Sequence, residues 1–214
     1  MISHKHKCIF IHVPKTAGES IETALMGHPN WEKDDPQWKT LNLPPDSEVG
    51  DDKHYRLHKW ASNPFFEEYF KFSFVRNPWD AAVSLYHYDK KRRNFPHSFK
   101  EWITGINPAL WKRFLNQLSF ITLNGKVGVD FVGRYESLER DWAYICGRLG
   151  IPYSPLPHAN PSSSRKHYTE YYDDFSREFI REKCSADIDF FGYAFGDVKV
   201  SPSLRGVDKA FWIN

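Results

Sequence analysis

Cysteine is scarce: Cys8, Cys146 and Cys184 are the only ones in 214 residues, and none has CxxC spacing. An odd count without paired spacing gives no disulfide framework, so a reducing cytoplasm is the expected compartment. Long hydrophobic runs are missing as well. No stretch approaches the roughly 20 apolar residues that a bilayer-spanning helix requires, and the opening MISHKHKCIF lacks the apolar segment of a secretory signal. A soluble chain without a membrane span is expected. Nor does one sign of charge dominate: 29 basic and 27 acidic residues leave a formal balance of +2. That field is too small to draw the whole molecule onto nucleic acid or an anionic membrane, so any anion site has to be local. Internal repeats are also absent, and the run Ser162-Ser163-Ser164 is too short to count as low complexity.

Apolar side chains, in contrast, are plentiful. Hydrophobic residues make up 41% of the chain, with Trp 8 and Phe 17, enough for one substantial core at this length. Residues 1–214 therefore read as a single domain. Residues 7–13, KCIFIHV, form an almost unbroken apolar and β-branched run, the pattern of a strand buried on both faces. A helix is expected from about Ser20, through Ile21 and Leu25. Residues 28–52, which include Pro29, Pro36, Pro44 and Pro45, read as an irregular excursion. The strand pattern returns in FKFSFVR, ending at Arg76, and Asn77-Pro78-Trp79-Asp80 leads into AAVSLYHY with Pro78 suited to a first helical turn. Residues 98–120 read as helical, 129–134 as a strand, and 137–149 as a helix closed by Gly150 ahead of Pro152. Residues 154–168 are a basic loop rich in Ser and Pro, and 175–191 recover a helical pattern. This alternation predicts an α/β fold of three layers, a central mostly parallel sheet flanked by helices.

Between the first strand and helix stands Pro14-Lys15-Thr16-Ala17-Gly18-Glu19-Ser20. At such a turn the first helical N–H groups have no partner within the helix, and the positive end of the dipole lies behind them. Gly18 lets backbone approach an anion closely, Thr16 and Ser20 offer hydroxyls, and Lys15 adds a mobile charge. A plain strand-to-helix turn with an exposed lysine and a Ser N-cap is the other reading. The loop is not GxxxxGK[ST], because Lys15 precedes the glycine, and no such motif stands elsewhere in the chain. In the second unit, Arg76 at a strand end and Ser84 in the following helix could reach one anion, as fork and hydroxyl suited to a phosphate monoester. Alternatively, Arg76 is a structural tie to Asp80.

The two motifs in this order resemble those of sulfotransferases that use 3′-phosphoadenosine 5′-phosphosulfate (PAPS). The similarity is greatest to the branch with bacterial sulfotransferase-family proteins and heparan sulfate 2-O-sulfotransferase. It covers most of the chain, through FVGRYESL at 131–138, His167-Tyr168, Tyr171-Tyr172 and Phe191-Gly192-Tyr193. The resemblance implies a P-loop-like fold in which Lys15, Thr16, Ala17, Gly18, Glu19 and Ser20 grip the 5′-phosphosulfate while Arg76 and Ser84 bind the 3′-phosphate. It also implies that the loop with Ser164, Arg165, Lys166 and Tyr168 closes over the nucleotide, its cations meeting the 3′-phosphate and Tyr168 stacking near the base. Glu19 departs from the pattern, where a small hydroxyl residue is usual. A carboxylate there repels phosphosulfate unless it points away or pairs with a cation.

The implied reaction moves SO3 from the 5′-phosphate of PAPS to a hydroxyl acceptor, a carbohydrate among the candidates, and leaves adenosine 3′,5′-bisphosphate. Negative charge grows on the leaving phosphate, where Lys15 would stabilise it; no metal is required. An alcohol acceptor needs a base with a pKa near neutrality. His58 is the choice, because it lies between the donor motifs and matches the position where similar enzymes carry a catalytic histidine. His54 is the runner-up, and His12, on a buried strand, reads as structural. Lys90-Lys91-Arg92-Arg93 could attract an acidic glycan or could simply be a solvated helix end. Trp31, Trp38 and Trp60 are candidates for stacking on a sugar. Two rival readings remain, a P-loop-like nucleotide kinase and a nucleotide-binding protein without turnover.

Overall fold

The computed structural model describes residues 1–26, 54–93, 97–106, 115–157, 165–197 and 203–205. The excursion at 28–52, with Trp31 and Trp38, and Ser164 lie outside these residues. In chain order the strands are β1 (Ile2–Ser3), β2 (Cys8–Ile11), β3 (Phe70–Val75), β4 (Thr122–Leu123), β5 (Lys126–Val127), β6 (Phe131–Arg134) and β7 (Leu204–Arg205). The helices are α1 (Gly18–Met26), α2 (Leu57–Trp60), α3 (Pro78–Arg93), α4 (Phe99–Gly105), α5 (Leu118–Ile121), α6 (Leu138–Leu149), α7 (Asp174–Lys183) and α8 (Ser185–Phe191).

The main sheet runs β1-β2-β3-β6-β7. Its three inner strands are parallel, with Phe10 opposite Phe72 and Phe72 opposite Phe131, while β1 and β7 add antiparallel edges. Because side chains alternate along a strand, each inner strand feeds two cores. Cys8, Phe10, Phe72, Phe74 and Phe131 point to one face, where Ile21 and Leu25 of α1 and Trp142 and Ile145 of α6 cover them. Ile9, Ile11, Val75 and Val132 point to the other, against Ala82 of α3, Ile103 of α4, Ile180 of α7 and Ile188 of α8. Burying one such large apolar side chain contributes on the order of 1.5–3 kcal/mol, which lets strands of four residues, β2 and β6, hold the centre of a sheet. The expected three-layer arrangement is therefore present.

The structure redraws some elements. Of the helix expected over 98–120, the described residues show α4, which ends at Gly105 with Ile106 extended, and the short α5; residues 107–114 lie outside the described residues. Ser98 caps α4, its hydroxyl accepting from Glu101 N–H while Glu101 reaches back to the Ser98 N–H. The helix expected over 175–191 is two helices, because Cys184 (φ −112°, ψ 20°) leaves helical geometry and turns α8 toward α5. Gly150 does close α6, at φ 65°. Edge strands β1 and β7 and the β4–β5 hairpin have no counterpart in the sequence reading. The hairpin turns on Asn124 and Gly125 at φ 51° and 74°, the signs that a two-residue type I′ loop demands.

Candidate active site

The loop after β2, the turn after β3 and the turn after β6 all leave the carboxyl edge of adjacent parallel strands, the place where open α/β sheets bind ligands. In the first loop Lys15 and Ala17 both sit at φ 66°, a left-handed conformation that costs a non-glycine residue about 1 kcal/mol or more. Such alternation turns successive backbone N–H groups to one concave side, as anion-binding nests do. The fully buried Thr16 locks the loop, its hydroxyl donating to the Val13 carbonyl at 2.8 Å. That proton is thus committed to the loop itself. The Ala17 carbonyl accepts from the N–H groups of Ser20 and Ile21 at 3.0 and 3.2 Å and starts α1. Gly18 lies against the His12 ring so closely that a Cβ would fall 2.0 Å from its Nε2. His12 is buried, its Nδ1 is 2.9 Å from Glu22 Oε1, and the His54 ring packs on it at 4.4 Å between centroids.

Arg76 joins the second turn to the first. Its Nε donates to Asp80 Oδ2 at 2.7 Å, its Nη1 donates to the Lys15 carbonyl at 3.0 Å, and Tyr135, just past β6, stacks on it with 3.7 Å from Cζ to the ring centroid. The structural tie to Asp80 and the approach to the lysine loop hold at once. Asp80 also accepts from Arg165, which brings the late basic segment to the same place. Asn77 accepts from the Trp79 N–H at 3.1 Å and so caps α3, with Pro78 in its first turn as expected. The Glu136 carboxylate accepts from the Asn77 N–H and from the Tyr193 hydroxyl.

Lys15, Arg76 and Arg165 thus converge, and their electrostatics register it. Burial first, then Arg76, pull the Lys15 ammonium down to about 8, against opposing pulls from Glu19 and Asp89. Burial, again followed by Arg76, lowers Arg165 to about 10. Cations that depress one another are relieved by an incoming anion. The Lys15 ammonium rests 4.4 Å from the Tyr88 ring centroid, a cation–π contact.

Other expected residues lie in different settings. Ser84 is partly buried on the second turn of α3; Glu19 is exposed yet near enough to Lys15 for its carboxylate to favour the ammonium; Lys166 is exposed. Tyr168 is buried rather than presented as a face, and its hydroxyl accepts from Gly196 N–H at 2.7 Å. His58 is exposed on α2, whereas His54 is half-buried beside His12. Trp60, a candidate for sugar stacking, is only 1% exposed and belongs to the core, which removes it from that role. Tyr135 and Glu136 stand inside the FVGRYESL segment already singled out, but nothing in that stretch indicated contact with Arg76 or Asn77. Among the described residues no cluster of three or more His, Cys, Asp or Glu side chains is placed to hold a metal ion, and no helix is long and apolar enough to cross a membrane.

The sequence profile of the Sulfotransferase family matches residues 1–194. The chain belongs to that family, whose chemistry is sulfuryl transfer. An uncharacterised protein of Archaeoglobus fulgidus is 41% identical over 102 residues, covering 46% of this chain and 82% of that protein. The crystal structure of a sulfotransferase from Alicyclobacillus acidocaldarius is also similar, at 18% identity and a TM-score of 0.37, over 57% of this chain and 53% of that one. The latter match spans about half of that chain's length.

Proposed function

We propose that the protein transfers a sulfuryl group from PAPS to a hydroxyl acceptor. The observation that carries this reading is the convergence of Lys15, Arg76 and Arg165 at the carboxyl edge of the sheet, beside a left-handed loop that opens a helix. The loop from Lys15 to Ser20 would hold the 5′-phosphosulfate through backbone N–H groups, with Lys15 stabilising the charge that grows on the departing phosphate. Arg76 would meet the 3′-phosphate, with Ser84, Arg165 and the neighbouring Ser164 and Lys166 as its further partners. The acceptor's proton would go to a histidine of the 54–58 segment. His58 fits by its place between the motifs, and His54 by its packing beside the loop. An anionic glycan is the proposed acceptor class, supported by Arg92 and Tyr88, which join at 2.6 Å on the last turns of α3 near Lys15. All three cysteines are buried free thiols, in keeping with a proposed cytoplasmic location.

Calorimetry tests the donor site by comparing adenosine 3′,5′-bisphosphate with adenosine 5′-monophosphate and ATP. Wild type should prefer the bisphosphate. Arg76→Ala removes charge-assisted hydrogen bonds worth roughly 1.5–3 kcal/mol, so that preference should fall about 10- to 150-fold. Equal affinity for all three nucleotides would sink the reading. Strict magnesium dependence with ATP as donor would favour the kinase, and bisphosphate binding without transfer to any acceptor would favour a protein without turnover.

A further inference from the structure

The pairing of β3 with β6 ends where Val75 stands opposite Arg134, and on the other flank β2 pairs with β3 only as far as Ile11 with Ser73. Arg76 is therefore the first residue beyond the sheet. It is 6% exposed, and a buried backbone N–H and C=O need partners. Gln117 supplies both. Its Oε1 accepts from the Arg76 N–H at 2.8 Å, and its Nε2 donates to the Arg76 carbonyl at 2.7 Å. The side-chain amide imitates one residue of a neighbouring strand, and only one orientation of the amide satisfies both bonds.

Gln117 is itself buried and held from behind. Its own N–H and that of Leu118 donate to the two carboxylate oxygens of Asp187, both at 2.8 Å. Asp187 reaches them from α8, which the turn at Cys184 redirects. The tip of Arg76 is fixed by Asp80, the Lys15 carbonyl and Tyr135, while its root is fixed by Gln117. A misplacement on the order of 1 Å at a positioned group can cost about 100-fold, so the root matters as much as the tip.

We propose that Gln117, anchored by Asp187, is a positioning residue that fixes the root of Arg76 and so aims its guanidinium at the 3′-phosphate of the nucleotide. The inference rests on the donor reading above and adds to it a residue that touches no ligand. Gln117→Leu keeps most of the volume but removes both bonds. Gln117→Glu keeps an acceptor for the Arg76 N–H but sets its second carboxylate oxygen against the Arg76 carbonyl.

The test is calorimetry on the full chain, reading the ratio of affinities for adenosine 3′,5′-bisphosphate and adenosine 5′-monophosphate, with circular dichroism to establish that each variant is folded. Both variants should lose about tenfold or more of the wild-type preference, while monophosphate affinity falls by much less, because Gln117 reaches the Lys15 loop only through the Arg76 bond to the Lys15 carbonyl. A purely structural role would lower the melting temperature and leave the ratio intact. Should Gln117→Leu not fold, Gln117→Glu and Asp187→Asn carry the same comparison. Undiminished preference in any folded variant overturns this inference alone. A wild type without preference for the bisphosphate overturns the donor reading, and this inference with it.

Discussion

Gly18→Ala should be costly, and the structure says by how much. The new methyl carbon would lie 2.0 Å from His12 Nε2, 2.1 Å from Cδ2 and 2.5 Å from Cε1. Ordinary contact needs about 3.5 Å, so something must move by roughly 1.5 Å. The His12 ring has little freedom to do so: Glu22 holds Nδ1 at 2.9 Å, Phe10 stacks at 5.6 Å and His54 at 4.4 Å between centroids. Overpacking of this kind costs about 1–3 kcal/mol, and losing the buried His12–Glu22 bond adds about 1 kcal/mol. A total near 3 kcal/mol lowers the melting temperature of a chain this size by about 6–12 °C. Thermal and urea unfolding of the wild type, Gly18→Ala, His12→Ala and the double variant close a double-mutant cycle. If the ring is the obstacle, Gly18→Ala should be nearly harmless once His12 is alanine, giving a coupling of about 1–3 kcal/mol. A stability change within about 0.5 kcal/mol for the single variant, or additivity in the cycle, would refute the argument.

Other outcomes follow from the same geometry. Burial and Arg76 hold Lys15 near 8, below its ordinary 10.5, so its charge is lost as pH rises through 8, and the cost of burying that charge, present below pH 8, is relieved between 8 and 10.5. Adenosine 3′,5′-bisphosphate should restore the charge, and calorimetry at a pH just above 8 in buffers of different ionisation heat should register proton uptake that vanishes in Lys15→Met. His54→Ala and His58→Ala distinguish the two base candidates: loss of the true base should lower kcat by about 10²–10⁴ with bisphosphate affinity unchanged, and His58, by its place between the donor motifs, is the expected one. Gly125→Ala meets no atom within 4 Å but must adopt φ 74°, so it should cost about 1–2 kcal/mol in urea unfolding; no loss would mean that the hairpin turn is not built as described.

The three inner strands and their following helices were legible because each strand is buried on both faces and so reads as a continuous apolar run ending at Pro14, Asn77-Pro78 or Tyr135. The motif residues on those turns were legible for the same reason, since a turn that follows a parallel strand is where ligand chemistry belongs. Strands β1 and β7 were not, because two residues carry no period. Asn124-Gly125, in contrast, is a two-residue hairpin signal that the sequence does carry. Gln117 was invisible in principle: a lone glutamine between leucine and asparagine has no pattern, and its importance comes from a pairing with Arg76, 41 residues away. That the Tyr168 ring is largely buried was not legible either, because composition marks a loop as basic and aromatic without revealing which ring the core will claim.

Neighbouring strands in a sheet sit about 4.8 Å apart, a distance set by peptide hydrogen bonds and indifferent to side-chain identity. Lys15 follows β2 and Arg76 follows the adjacent β3, so the span between the two cationic grips is a ruler graduated by the backbone itself. Exchanging side chains alters the reach from each root, while the roots themselves stay where strand pairing puts them. On the proposed donor reading, a ligand whose charged ends are spaced very differently meets roots that side-chain exchange alone cannot move, which ties discrimination by length to the sheet as well as to the site.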